Sequence, residues 1–151
     1  MVKEFIEKWW KYKDNMETYF RYKDDISYIT YEDIMKALID NVINQGVSSV
    51  GLANKIVVID DGDYQGTEIF IMHNDIYQPT VEDYFFTHNY YGSCSGCDTL
   101  LSIISDRYSP ANEEAIKELM QIAFDLLRNI KPFVPDAEFD YGLIHLTEED
   151  E

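Results

Sequence analysis

A chain of 151 residues with 29 Asp and Glu against 12 Lys and Arg has a formal net charge of −17 and is long enough for one domain with a real core. So acidic a surface repels nucleic-acid backbone and anionic lipid and attracts basic proteins or cations, which argues against direct nucleic-acid binding and against a membrane surface. No apolar run approaches the roughly 18–20 residues that span a bilayer, and the start, Met1 to Phe5, lacks the apolar core of a signal peptide, so the chain is expected in the cytosol with its two cysteines reduced.

The charge is unevenly spread. Residues 1–30 hold six basic and six acidic residues, whereas residues 31–151 hold six basic and 23 acidic ones. Between Lys55 and Arg107 there are nine acidic residues and no basic one. Excess Asp and Glu also serves solubility alone. Twelve Tyr and eight Phe assign much of the packing to aromatics.

In chain order, Val2, Phe5, Ile6, Trp9, Met16, Tyr19 and Phe20 recur at near-helical spacing and predict an amphipathic helix over residues 2–22. The Trp9-Trp10 pair with Tyr12 is read as core packing, with a partner surface as its alternative. Thr30-Tyr31-Glu32-Asp33 has the form of a capping box and opens a second helix, with Ile34, Leu38, Val42 and Ile43 on one face and Gly46 as its stop. The period then changes. Ile56 to Ile59 is a β-branched run, Asp60-Asp61-Gly62-Asp63 a hairpin signal, and Thr67 to Met72 the returning strand. The turn's aspartates do not follow the spacing of an EF-hand loop, and turns favour Asp for backbone reasons. Tyr84 to His88 predicts a third strand, and Asp98 to Ser105 a short helix. Ser109-Pro110 supplies a cap and first-turn proline for a long helix whose stripe is Ile116, Leu119, Met120, Ala123, Phe124, Leu127 and Ile130. A short strand is expected at Leu143–Leu146, and residues 147–151 form an acidic tail. The fold class is α+β: a small antiparallel sheet of about three strands packed with four helices, in a single domain over residues 1–146.

The most conspicuous stretch is Tyr90-Tyr91-Gly92-Ser93-Cys94-Ser95-Gly96-Cys97-Asp98-Thr99-Leu100, a strand–turn–helix hinge. Four readings compete for it. Cys94 and Cys97 form a C-x-x-C at a helix start, where a thiol pKa falls, but the surrounding acids oppose that fall, and Ser95 with Asp98 fits a local capping box. The same pair could give zinc two thiolates, with His88 as a third ligand and His73 or His145 as others, but no second paired motif completes the site. Gly92-Ser93-Cys94-Ser95-Gly96 has the form of a cysteine nucleophile elbow, with His145 downstream and Asp136 and Asp140 between, although the strands are too few for the hydrolase fold. The structural reading is a tight turn in which glycines bend the chain, serines satisfy backbone donors and small cysteines pack.

Asp63-Tyr64-Gln65-Gly66-Thr67, followed by Tyr91-Gly92-Ser93-Cys94-Ser95-Gly96-Cys97-Asp98-Thr99-Leu100, resembles a stretch in small uncharacterised phage and prophage proteins, over roughly residues 56–105. The resemblance carries no function to transfer. What it implies is a viral accessory context, in which small acidic proteins bind and block host proteins such as restriction and CRISPR nucleases. With the charge, it leads to an expected non-enzymatic inhibitor of a basic, nucleic-acid-handling host protein. Its partner-binding residues are expected to be Asp60, Asp61, Asp63, Glu68, Asp75, Glu82, Asp83, Tyr90, Tyr91 and Asp98, with no required cofactor. The alternative is a metal- or thiol-dependent module built on Cys94 and Cys97, with zinc as its candidate cofactor.

Overall fold

The computed structural model describes residues 2–46, 51–63, 65–93, 98–104 and 112–135. Helix α1 (Val2–Arg21) buries Phe5, Trp9, Met16 and Phe20, which repeat along one face. Trp9 is buried as expected, but its neighbour Trp10 is 60% exposed, because adjacent helical positions point about 100° apart. Trp10 still rests its ring 5.8 Å from that of Phe124.

Helix α2 (Tyr31–Leu38) begins at the expected capping box: the Thr30 hydroxyl accepts from Asp33 N at 3.1 Å, and Asp33 Oδ2 accepts from Thr30 N at 3.0 Å. Its last turn, Ile39–Ile43, widens to π geometry, with Asn44 N donating to Ile39 O at 3.0 Å. The extra residue lets Ile39, Val42 and Ile43 all reach the core. Gly46, with φ of +80°, ends the segment as expected. A Cβ there would lie 2.5 Å from the Tyr12 hydroxyl, so the close approach to α1 also favours glycine.

Strands β1 (Val57–Asp60), β2 (Gly66–His73), β3 (Tyr84–Tyr91) and β4 (Lys131–Pro132) form one antiparallel sheet in that order. A short 3-10 turn, Val81–Asp83, leads into β3. Among the described residues there are four strands where about three were expected. The added one is two residues long, and it pairs Pro132 with Phe85 and Lys131 with Phe86 at the sheet edge, where proline's missing N–H costs least. The strand expected at Leu143–Leu146 and the acidic tail lie outside the described residues. Helix α3 (Thr99–Ile104) follows the motif, and α4 (Glu113–Arg128) is capped by Asn112, whose Oδ1 accepts from Ala115 N at 2.8 Å. Asn112 itself is extended, so this helix begins after the expected Ser109-Pro110 start, and those two residues lie outside the described set.

Register sorts the sheet into two unlike faces. Val58 pairs with Phe70 and Phe70 with Thr87, while Met72 pairs with Phe85, and these side chains face the helices. Phe85 meets Phe5 of α1 edge-on at 5.5 Å. The buried Thr87 hydroxyl donates to Leu126 O at 2.8 Å, satisfying a carbonyl in the last turn of α4. Among the described residues the chain is thus an α+β layer pair, with its core between four helices and one face of a four-stranded sheet. Among the described residues no helix is long and apolar enough to cross a membrane.

Candidate functional site

The motif is clamped at both ends by Asp98. This residue is 6% exposed. Its Oδ2 accepts from Gly92 N at 2.8 Å, which ties the end of β3 to the start of α3. Its Oδ1 accepts from Leu101 N at 3.1 Å, as a helix cap does, and from the Tyr31 hydroxyl at 2.8 Å. Tyr31 in turn accepts from Leu100 N at 3.1 Å, and burial, together with the Asp98 carboxylate, pushes its phenol up to about 12. Asp98 was expected on a partner-facing surface. Instead it is spent inside the fold, because only there can one carboxylate satisfy two backbone donors and a buried phenol. The loop it closes carries Cys94 and Cys97, which, with Ser95 and Gly96, lie outside the described residues. So do His145, Asp136 and Asp140.

The adjacent hairpin is pinned in the same manner. Tyr91 donates to Asp60 Oδ1, and its hydroxyl also lies 2.8 Å from Gly62 O. The Asp60 carboxylate pushes that phenol up to about 12, while the phenol and Gly62 N hold Asp60 below the ordinary carboxylate value. Asp61 Oδ1 accepts from Thr67 N at 2.7 Å and shapes the turn. A Cβ on Gly62 would sit 1.9 Å from Gln65 O, so the turn closes only over glycine. Glu68, opposite Asp60 across the ladder, is raised above the ordinary glutamate value, first by burial and then by the charges of Asp60, Glu32 and Asp98.

The structure therefore brings Asp60, Glu68, Tyr91 and Asp98 together on the helix side of the hairpin end, with Asp61 and Asp63 exposed at its tip. Tyr31 and Glu32 belong to the same cluster and were read only as the start of a helix. No sequence signal links them to a motif so distant in the chain. Asp75, Glu82 and Asp83 stand at the other end of β2, about 20 Å away at about 3.3 Å per residue. There Asp83 Oδ2 accepts from Thr80 N at 2.9 Å and Oδ1 from Asn74 Nδ2 at 3.2 Å, which holds its pKa down. The acids expected to bind the partner thus fall into two groups, one at each end of β2. Tyr90 points to the opposite side of the sheet from Tyr91 and is 59% exposed.

Among the described residues, the ion pairs are Arg21 with Glu17 and Glu113, Lys36 with Glu32, and Arg128 with Asp125. None reaches Asp60, Asp61, Asp63, Glu68, Asp75, Glu82 or Asp83. Among the described residues no three His, Cys, Asp or Glu side chains converge as metal ligands, and His88 lies exposed on the outer face of β3, opposite Ile69. A shallow cavity beside the cluster, lined by Tyr31, Asn89, Tyr90, Thr99 and Asp125, holds about 210 Å³, below the roughly 300 Å³ at which small-molecule sites begin. Comparison with protein-family models, with curated proteins and with solved structures finds no match for this chain.

Proposed function

We propose that this chain is a non-enzymatic binding protein, acting in the host cytosol, that inhibits a basic nucleic-acid-handling protein of the restriction or CRISPR kind. Its carboxylates stand where a nucleic acid places phosphates and pair with Arg and Lys of the target. The observation that carries the reading is the set of hairpin carboxylates, Asp60, Asp61, Asp63 and Glu68, which has no cationic partner among the described residues; Asp60 and Asp61 are fixed by hydrogen bonds from Gly62 N, Tyr91 and Thr67 N, and Glu68 stands within the ladder. Asp60 and Asp61, fixed before binding, lose little entropy on meeting a basic groove. The motif's resemblance to phage and prophage proteins supports a target in the host.

The test is capture of partners from nuclease-treated host lysate, stepwise elution with salt, and competition of the captured protein by duplex DNA. The expected result is a basic nucleic-acid-binding protein that elutes at moderate salt and is displaced by DNA. Retention that ignores both salt and DNA overturns the reading.

A further inference from the structure

The outer face of the sheet carries the opposite chemistry to the rest of the surface. Register places Val57, Ile71, Phe86 and Lys131 in one row across the strands, Ile59, Ile69 and His88 in another, and His73 beside Tyr84 in a third. Phe133 extends the strip, with its ring 5.8 Å from Tyr84 and 5.6 Å from Phe86. In a chain with 29 acidic residues, no strand position on this face among the described residues is Asp or Glu, because Asp60 and Glu68 fall on the helix side. The one formal charge on it among the described residues is Lys131, at the β4 margin. None of these apolar side chains belongs to the core or packs against it, and Val57, Ile59 and Phe133 are 59%, 48% and 42% exposed. A solvated antiparallel face ordinarily alternates to polar residues. A contiguous apolar strip marks a surface that something covers.

We infer that this strip docks an apolar segment of the partner that is flanked by Lys or Arg. Charge complementarity selects that occupant. Exposed Asp61 and Asp63 stand beyond Ile59 and Ile69 at one end of the strip, and exposed Asp75 and Glu82 stand beyond His73 and Tyr84 at the other. A segment with basic ends and an apolar middle satisfies both ends and the centre at once. A second copy laid face to face would set acid against acid at the rims, between chains of −17 each. The inference deepens the proposed function, since it assumes the same basic partner.

The test uses two synthetic peptides with lysines at both ends: one alternates leucine and serine in the middle, and its match has serine throughout. Titration by fluorescence anisotropy against the full chain is expected to show the leucine peptide binding about tenfold more tightly. Val57→Thr with Ile59→Thr, which keeps β-branched residues on the edge strand, is expected to abolish that difference, and Phe133→Thr at the far margin to reduce it. Equal, salt-sensitive binding of both peptides overturns the inference and leaves charge recognition standing, whereas binding of neither peptide overturns both. A concentration-dependent dimer that Val57→Thr with Ile59→Thr dissociates assigns the strip to a second copy and overturns it. Tighter leucine-peptide binding after Phe139→Ser with Ile144→Ser assigns the strip to the chain's own C-terminal segment and likewise overturns it.

Discussion

The Tyr31 hydroxyl donates to the Asp98 carboxylate at 2.8 Å, joining the first turn of α2 to the residue before α3. Tyr31→Phe removes this donor and the acceptor for Leu100 N, leaving a buried carboxylate short of one partner. The expected cost is about 1–3 kcal/mol of unfolding free energy, read as a lower urea midpoint with an unchanged slope. An unchanged midpoint would mean that the clamp contributes nothing to stability.

Glu68 supplies a pH test with a definite sign. Its folded pKa is raised above the ordinary 4.5, so the folded state holds its proton more tightly than the unfolded chain does. The native protein therefore loses stability as pH rises from the ordinary value through the raised one, and the penalty is complete above it. Glu68→Gln abolishes that penalty. The variant is expected to match or exceed the native protein at neutral pH and to lose any advantage below the ordinary glutamate value. Denaturant unfolding across that window checks it, and a variant less stable than the native chain at neutral pH contradicts it.

Gly62→Ala is expected to cost about 1–3 kcal/mol, since a Cβ at that position meets the backbone oxygen of Gln65 and the turn must open. Because Tyr91 bonds to Gly62 O, the same change should raise amide exchange in β3 near Tyr91. Hydrogen exchange of the variant against the native chain is the measurement.

Much of this architecture is legible from residue order. The spacing of Phe5, Trp9, Met16 and Phe20 defines α1, Thr30 and Asp33 announce α2, and the Asp-Gly turn joins β1 to β2. What escapes is what depends on distant partners. β3 was expected to end at His88 but runs on to Tyr91, because Thr67, Glu68 and Gly66 pair with Tyr90, Asn89 and Tyr91. Lys131-Pro132 looks like a helix breaker and becomes a strand only because Phe85 and Phe86 lie beside it. Asp98 is legible as part of a helix cap, but its burial shows only once Tyr31 closes over it. The apolar strip is implicit in the strand alternation, but it shows as a face only once the register is known.

The separation of acids into two ends gives a fourth prediction. Neutralising the hairpin end, Asp60→Asn, Asp63→Asn and Glu68→Gln, and the far end, Asp75→Asn and Glu82→Gln, are expected to weaken partner binding independently. Sites about 20 Å apart with no shared partner add within about 0.5 kcal/mol. Affinity of the two sets and their combination, at two salt concentrations, measures it. Loss confined to one set assigns the contact to that end alone.

The meeting of Phe5 with Phe85, and of Trp9 with Phe124 at 5.4 Å, bears on how the chain is made. A ribosome releases α1 well before β3 and α4, so the aromatic stripe of that helix emerges before Phe85 and Phe124 exist to cover it. The core cannot close until residues near Arg128 have left the exit tunnel, which makes folding dependent on contacts between α1 and α4, elements far apart in sequence. Until then, the mixed charges on α1, from Lys3 and Glu4 to Glu17 and Arg21, rather than its packing, must keep it from sticking to its neighbours.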